Sequence, residues 1–400
     1  MQAKSDTQLV IGPYESANFS REEILDRIKR YVEAVPTRRL IIWNNQGDQW
    51  FERLVKLCDV HHLEPYLWYP VLADRMDKSL PDTDELVRSA TWQSGYGELG
   101  LWDGFVGNDE NFLFRCPEHS IDGEEEGREI ATTLSRFGFT GVFLDRIRYP
   151  SPANGLEMLF SCFCQRCLET GLVHQHRVAE QAVECMVAYC LEGHAMDWPT
   201  FVQACGLGDL MERRARAITE VVKTITGGVD RSRFSVGLDL LSPALAPLVG
   251  QDYGQLSVCS DWVKAMTYTR AIGPAGLPLE ARSMVTGLQE AHREIGREKA
   301  SRFVEGLLGL PIGSMEDLYQ SGGFSVDVLR SEISCAQRSV RCGVPVVAGV
   351  ELVDHPVFPT RITAGQADSM IAATEATGTP VITCWNLLYI PKENYRSLMR

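Results

Sequence analysis

The sequence predicts an α/β fold, a (β/α)8 TIM barrel with helical insertions, from three observations. Short apolar runs alternate with helical patterns along the 400 residues. These runs are continuous in Val, Ile and Leu, which is typical of strands buried on both faces of a parallel sheet. Eight such units occur, the number that closes this barrel. A doubly wound sheet is the alternative, but it needs a glycine-rich phosphate loop after the first strand, and "IGPYESANF" supplies none.

The units follow one another in a regular order. The first predicted strand precedes the amphipathic pattern "REEILDRIKRYVEAV", the second precedes "QWFERLVKLCDVHH", and later helical patterns precede the fourth, fifth, seventh and eighth. Linkers, internal repeats and low-complexity segments are absent, so we predict a single TIM-barrel domain over 1–400 with insertions at about 168–207 and 280–322. The predicted strands cover 9–14, 40–44, 66–72, 141–144, 234–238, 262–268, 344–350 and 381–386.

Composition narrows the class of partner. Hydrophobic residues make up 44% and charged residues 23% of the chain, as in ordinary globular proteins, and the formal net charge is -14. Binding to nucleic acid or to a membrane surface needs a cationic face, so neither is expected. The start "MQAKSDTQLV" lacks the pattern of a secretory signal, and no apolar run is long enough to span a membrane, which predicts a cytoplasmic protein. Formation of a homo-oligomer is left open.

Polar residues that end the apolar runs are the candidate site residues. In a parallel barrel the active site forms where the strands end, so side chains from different strands meet there. Acids at several strand ends suit glycosidic cleavage, which needs one carboxyl group to protonate the leaving oxygen and another to attack or to activate water. The alternative is that each acid caps a helix or pairs with an arginine. The candidates are Asp145, Asp239, Lys264, Tyr268, Glu351, Trp385 and Asn386.

Two features of these strand ends carry a resemblance to known glycosidases. Acids at the fourth and seventh strands resemble the clan of glycoside hydrolases whose acid/base follows strand four and whose nucleophile closes strand seven. The segment "GVFLDRIRYPSP" is similar to the "hhLDxIRYP" segment of glycosyl-hydrolase-like barrel proteins. This resemblance implies that Asp145 and Glu351 are catalytic. The clan has Asn-Glu where this chain has Leu144-Asp145, so Asp145 is either the acid/base or the nucleophile.

A cysteine cluster follows the fourth strand. Most of the 12 cysteines lie in helix-like or strand-like surroundings and are expected to be reduced and buried. Cys162, Cys164 and Cys167 form C-x-C-x2-C, with Cys116 in the loop before the strand. This layout is similar to the structural zinc site of family 42 β-galactosidases, which implies a closed Zn2+ site of four thiolates. Unliganded thiols are the alternative, and His119, His174 or His176 could take the place of Cys116.

Aromatic residues accumulate on the same side of the predicted barrel. Trp43 and Trp68 lie on strands two and three, Trp385 ends strand eight, and Trp102 lies in the long loop "TWQSGYGELGLWDGF". Aromatic rings cover the apolar faces of sugars well, and we expect these four to contact substrate, although core packing is the alternative for each.

The sequence therefore favours a glycoside hydrolase that cleaves a small glycoside or oligosaccharide with two carboxylates. Asp239, Lys264, Tyr268 and Arg148 are expected to position hydroxyls or an acidic group of the carbohydrate. Two alternatives remain. A lysine on strand six suits a Schiff-base aldolase or lyase that uses Lys264, and a barrel could bind carbohydrate without cleaving it.

Overall fold

The computed structural model describes residues 5–75, 84–94, 112–356 and 360–399. Eight parallel strands form a closed barrel in sequence order, and the last strand pairs with the first. The predicted fold class, an α/β barrel surrounded by helices, is confirmed. The strands are β1 Ser5–Ile11, β2 Thr37–Asn44, β3 Glu64–Pro70, β4 Gly141–Asp145, β5 Ser235–Leu241, β6 Trp262–Met266, β7 Val346–Glu351 and β8 Val381–Cys384.

Fifteen α-helices are present in the described part of the chain. None of them is long and apolar enough to cross a membrane. The cytoplasmic location stays a prediction. The helices are α1 Pro13–Asn18, α2 Arg21–Ala34, α3 Asp48–His61, α4 Gly123–Phe137, α5 Gln165–Glu169, α6 Val173–Glu192, α7 Trp198–Ala204, α8 Gly208–Gly227, α9 Tyr253–Ser257, α10 Leu277–Ala291, α11 Arg297–Leu308, α12 Met315–Gln320, α13 Val326–Ser339, α14 Ala364–Glu375 and α15 Lys392–Tyr395.

Local sequence signals explain where the outer helices begin and end. Ser20 caps α2, since its side chain accepts from the backbone N–H of Glu23 while the Glu23 carboxylate accepts from the Ser20 N–H. Asp122 caps α4, which ends at Gly138 with φ +82°, a conformation that glycine adopts without strain. Each helix then turns one apolar face toward the barrel.

The barrel interior is filled by large rings that face glycines on neighbouring strands. Trp262 on β6 stacks on Phe143 of β4, with ring centroids 5.2 Å apart. A Cβ atom at Gly237 on β5 would lie 2.2 Å from the Trp262 ring, and one at Gly141 would lie 2.6 Å from the Tyr66 ring. At Gly141 the Ser235 carbonyl oxygen would lie even closer, at 2.3 Å. Glycine is therefore required at these two positions because neighbouring atoms already occupy the space.

The first strand differs from its prediction. It was expected at 9–14, but β1 covers Ser5–Ile11 and the next residues turn into α1. The early part of β1 is polar yet buried, because Asp6 forms ion pairs with Arg38 at 3.3 Å and with Arg39 at 3.2 Å. Thr7 and Thr383 share a hydrogen bond of 2.6 Å between hydroxyl oxygens. Side-chain pairs of this kind satisfy polar residues in a strand that apolar patterning does not detect.

The predicted insertions are mainly helical. The range 168–207 holds α6 and α7, and the range 280–322 holds most of α10 together with α11 and α12. Helices α10 and α11 pack against each other and against α6, and α11 also contacts α7. The two ranges thus meet beside the barrel. The assignment of one domain with two insertions stays a prediction.

Candidate active site

A cavity of about 970 Å³, measured with its open mouth, lies at the end of the barrel where the strands terminate. Loops that follow most of the strands contribute to its wall, as expected for a parallel barrel. Glu351 and Lys264 are not among the described residues that line it, and Trp102 lies outside the described residues. The predicted site residues that line the cavity are Trp43, Trp68, Asp145, Arg148, Asp239, Tyr268, Trp385 and Asn386.

Asp145 ends β4 with both carboxylate oxygens in hydrogen bonds. Its Oδ2 accepts from the Trp68 indole N–H at 2.9 Å, and its Oδ1 accepts from the backbone N–H of Arg146 at 2.6 Å. Arg146 has φ +54°, and its guanidinium pairs with Asp74 and lies 4.7 Å from the Phe112 ring centroid. These contacts fix the direction of the Asp145 carboxylate, which is 7% exposed in the cavity wall.

Asp239 stands next to Asp145 on β5. The register pairs Leu144 with Leu238, so the two acids follow at neighbouring positions on strands about 4.8 Å apart. The Oδ2 of Asp239 accepts from the Lys264 ammonium at 3.0 Å, whereas its buried Oδ1 has no hydrogen-bond partner among the described residues. Burial raises the pKa of Asp239 to about 8, the charge of Asp145 adds to this, and Lys264 opposes it. The two neighbouring acids therefore have different environments.

Lys264 lies below the cavity and is fully buried. Its ammonium donates to Gln8 at 3.0 Å, to Asp239 at 3.0 Å and to the Tyr268 hydroxyl at 2.7 Å. A Schiff base requires a free amine that meets the substrate carbonyl. The Lys264 ammonium makes three hydrogen bonds and does not line the cavity, so its position does not favour a Schiff base with a substrate.

Glu351 ends β7, but its carboxylate turns toward the loop that follows β6. Its Oε1 accepts from the backbone N–H groups of Arg270 and Ala271, the latter at 3.0 Å. The Oε2 atom is buried and has no hydrogen-bond partner among the described residues, and burial raises the pKa of Glu351 to about 7. In this position Glu351 holds the loop that carries Tyr268. The pairing of Asp145 with Glu351 across one pocket stays a prediction, and Glu351 is not among the described residues that line the cavity.

The opposite wall contains residues that strand-end patterning missed. Glu15 in α1 accepts from the Gly12 N–H at 2.9 Å, from the Asn386 amide at 3.2 Å and from the Tyr389 hydroxyl at 2.9 Å. Burial raises the pKa of Glu15. A glutamate three residues after Gly12 matches a helix-capping pattern, which could have indicated it. The Asn386 amide is thus held by Glu15 of α1 and also donates to the Val10 carbonyl of β1 at 2.9 Å.

His355 is a second cavity residue that the sequence did not indicate. Its ring meets the Trp385 ring edge-on at 6.1 Å and lies 5.0 Å from the Tyr389 ring. Burial lowers the pKa of His355 to about 4, so the imidazole is neutral near pH 7. His355 and Trp385 therefore give this part of the cavity wall an aromatic surface without a charge near pH 7.

Arg148 brings a buried positive charge to the cavity wall. Its guanidinium lies 4.6 Å from the Phe114 ring centroid and donates to the Tyr149 carbonyl at 3.1 Å. Nearby, the fully buried Glu280 accepts from Ser151, Ala153 and Ala275, which ties the loops after β4 and β6 together. Burial raises the pKa of Glu280, and the Arg148 charge opposes that change.

The four predicted metal-binding cysteines come together in the fold. The sulfur atoms of Cys116, Cys162, Cys164 and Cys167 all lie within 4.8 Å of one another, and the residues are buried. The Sγ atoms of Cys116 and Cys167 are 3.6 Å apart. Tetrahedral Zn2+ with bonds of about 2.3 Å places its sulfur ligands about 3.8 Å apart, so the cluster fits a closed four-thiolate site. His174 and His176 are not part of this group, and His119 joins only a separate group with Glu118 and Cys167.

Comparisons with known proteins identify the fold. No family model and no curated protein matches the sequence. Among solved structures, the glycoside hydrolase domain of PgaB (BpsB) from Bordetella bronchiseptica has a TM-score of 0.52 at 12% identity, covering 97% of this chain and 95% of that one. A class V chitinase from Pseudomonas fluorescens Pf-5 has a TM-score of 0.49 at 10% identity, covering 98% of each chain. The spore cortex-lytic enzyme SleL of Bacillus cereus has a TM-score of 0.48 at 8% identity, covering 100% of this chain and 74% of that one.

At these identities the likeness to the PgaB domain is one of fold. It agrees with the closed eight-stranded barrel and does not by itself transfer an activity or a site residue. The resemblance of the cysteine cluster to the family 42 zinc site is not confirmed by these comparisons.

Proposed function

We propose that the protein is a glycoside hydrolase whose reacting carboxyl groups are Asp145 and Asp239. The observation that carries this proposal is that two acids at the ends of adjacent strands face one aromatic-lined cavity. Glycosidic cleavage requires two carboxyl groups with different proton affinities. The PgaB domain of similar fold is named a glycoside hydrolase domain, which adds support.

The two environments suggest separate roles. Asp239 has a raised pKa and retains its proton near pH 7, so it donates that proton to the oxygen of the leaving group. Asp145 is held by two N–H donors and attacks the anomeric carbon as the glycosidic bond breaks. Water then releases the sugar and Asp239 takes up the water proton. Because the two acids end adjacent strands, we expect their carboxyl groups to have the short separation of retaining enzymes, about 5 to 5.5 Å, and the product to keep the configuration of the substrate.

The substrate is proposed to be a small glycoside or oligosaccharide. Trp43, Trp68 and Trp385 offer flat apolar surfaces for sugar rings, and Tyr268 and Arg148 offer donors to hydroxyl or acidic groups. The cavity opens at the ends of the strands and combines aromatic with polar side chains, which suits a small carbohydrate.

Three matched amide variants test the carboxyl pair against the pair predicted from sequence. Asp145→Asn is expected to abolish turnover of aryl glycosides, because no nucleophile remains. Asp239→Asn is expected to lower the turnover of a methylumbelliferyl glycoside by about 100- to 10,000-fold. The turnover of a dinitrophenyl glycoside should fall far less, because its leaving group needs no proton. Glu351→Gln is expected to retain turnover. Full activity of Asp239→Asn together with loss in Glu351→Gln would restore the pair Asp145 and Glu351.

Product configuration and binding complete the test. NMR of the first product should show the same anomer as the substrate, and inversion would contradict attack by Asp145. Calorimetric binding of oligosaccharides without product would instead indicate a carbohydrate-binding barrel. Borohydride trapping of a carbonyl substrate on Lys264 would indicate a Schiff-base lyase.

We also propose that the cysteine cluster binds a structural Zn2+. Its four thiolates would fill a tetrahedral shell and leave no position for substrate. Because Cys116 precedes α4 and the other three cysteines follow β4, the ion would join the segment before α4 to the loop after β4, the strand that Asp145 ends. Its role would be to hold the loops around this strand end.

A further inference from the structure

Lys264 occupies the centre of the barrel rather than its mouth. All three ammonium hydrogens have acceptors, namely Gln8 on β1, Asp239 on β5 and the Tyr268 hydroxyl after β6. An ammonium group has three donors and no acceptor, so Lys264 has no donor left for a bound molecule. Asp239 and Tyr268 line the cavity, and Lys264 can act on its contents through these two residues.

The fold makes room for this lysine. A Cβ atom at Gly349 on β7 would lie 2.8 Å from the Lys264 Cε atom and 3.0 Å from the Tyr268 ring. The register also places Lys264 directly opposite Asp239. A glycine on one neighbouring strand and an acid on the other therefore define both the space and the partner for the ammonium group.

The charge balance around Asp239 depends on few groups. Its side chain is fully buried, which disfavours the carboxylate, and Asp145 repels a second negative charge. Lys264 and Arg148 are the cations that oppose these effects, and Lys264 is the one in hydrogen-bond contact. The titratable and charged groups that face Asp239 are Lys264, Asp145, Arg148, Tyr268, Tyr253 and Cys384.

We propose that Lys264 is a positioning residue that sets the proton occupancy of Asp239 from below the cavity and does not touch the substrate. This inference rests on the proposed function in so far as Asp239 transfers a proton. A positive charge 3.0 Å from the carboxylate stabilises its ionised form, which allows Asp239 to release its proton and to take it back within one catalytic cycle. Without Lys264 the carboxyl group would stay protonated and could not act as a base.

The experiment follows the Asp239 carboxyl group directly, so it does not require turnover. The full chain is labelled with aspartate carrying ¹³C at the carboxyl carbon, and Asp239→Asn identifies the resonance that disappears. In Lys264→Met, a change that keeps a similar length without the charge, the pH at which Asp239 ionises should rise by about 1 to 3 pH units. An unchanged titration midpoint would overturn the proposal.

A matched control separates charge from packing. Gln8→Met removes another hydrogen-bond partner of the same ammonium group but changes no charge, so the Asp239 midpoint should stay near that of the unaltered protein. An equal rise in Gln8→Met would show that network disruption, and not the Lys264 charge, moves the titration. If Lys264→Met does not fold, Lys264→Gln carries the same measurement, with folding checked by circular dichroism.

Activity then distinguishes this inference from the proposed function. The pH profile of kcat/KM should move upward in Lys264→Met together with the resonance. A moved resonance with an unmoved pH profile would leave Lys264 in control of Asp239 but remove Asp239 from proton transfer. A moved profile with an unmoved resonance would overturn the inference and assign the profile to another group.

Discussion

The hydrogen bond from Trp68 to Asp145 provides the most direct test of how the site is held. Trp68→Phe keeps an aromatic ring but removes the N–H that donates to the Asp145 Oδ2 at 2.9 Å. Among the described residues, the oxygen then keeps only the Arg146 Nε atom, 4.0 Å away, in a wall where Asp145 is 7% exposed. Hydrogen bonds to charged groups contribute about 1.5 to 3 kcal/mol, so the loss should change the unfolding equilibrium by about 10- to 140-fold.

Trp43→Phe is the matched control, because Trp43 is 7% exposed and Trp68 is 8% exposed. Both substitutions shrink an indole to a phenyl ring in the same cavity, and the Trp43 indole makes no hydrogen bond to a described residue. Reversible urea unfolding followed by far-ultraviolet circular dichroism should therefore show Trp68→Phe less stable than Trp43→Phe by about 1.5 to 3 kcal/mol. Equal stabilities would refute the claim that the indole N–H fixes the Asp145 carboxylate.

Three further outcomes are expected. Metal analysis should find one zinc ion per chain, and Cys164→Ser should lower both the zinc content and the melting temperature; a metal-free protein of unchanged stability would contradict the zinc site. Burial raises the pKa of Asp239 to about 8 and that of Glu351 to about 7, so the folded state binds extra protons, and the unfolding free energy should fall as the pH rises from about 4 to about 8, with a smaller slope in either amide variant. Gly237→Ala should destabilise the protein by about 1 to 3 kcal/mol or more in thermal unfolding, because its methyl group overlaps the Trp262 ring.

Apolar patterning predicted the barrel because its strands are buried on both faces, where Val, Ile and Leu runs are unavoidable. It failed at β1, where Ser5 and Asp6 are buried through polar partners from β2 and the segment before it. The strand boundary was therefore set by tertiary ion pairing, which the local sequence does not show. Strand-end positions of Asp145 and Asp239 followed from the same patterning.

The direction of each strand-end side chain could not be predicted in this way. Glu351 ends a strand, as expected, but its carboxylate binds backbone N–H groups of the preceding βα loop. Lys264 was expected to meet substrate, yet it is enclosed by residues from three other positions around the barrel. Period-two alternation gives the face of a strand. It does not say whether a long side chain at that face reaches upward to the cavity or sideways to a loop.

The contacts of Glu15 have a consequence for how the protein is made. Glu15, which follows β1, accepts hydrogen bonds from Asn386 and Tyr389, which follow β8. Residues after both strands line the cavity. A ribosome releases the first strand hundreds of residues before its partner emerges. During synthesis the nascent chain can form its early βα units, but the pocket is assembled only after β8 has emerged and paired with β1.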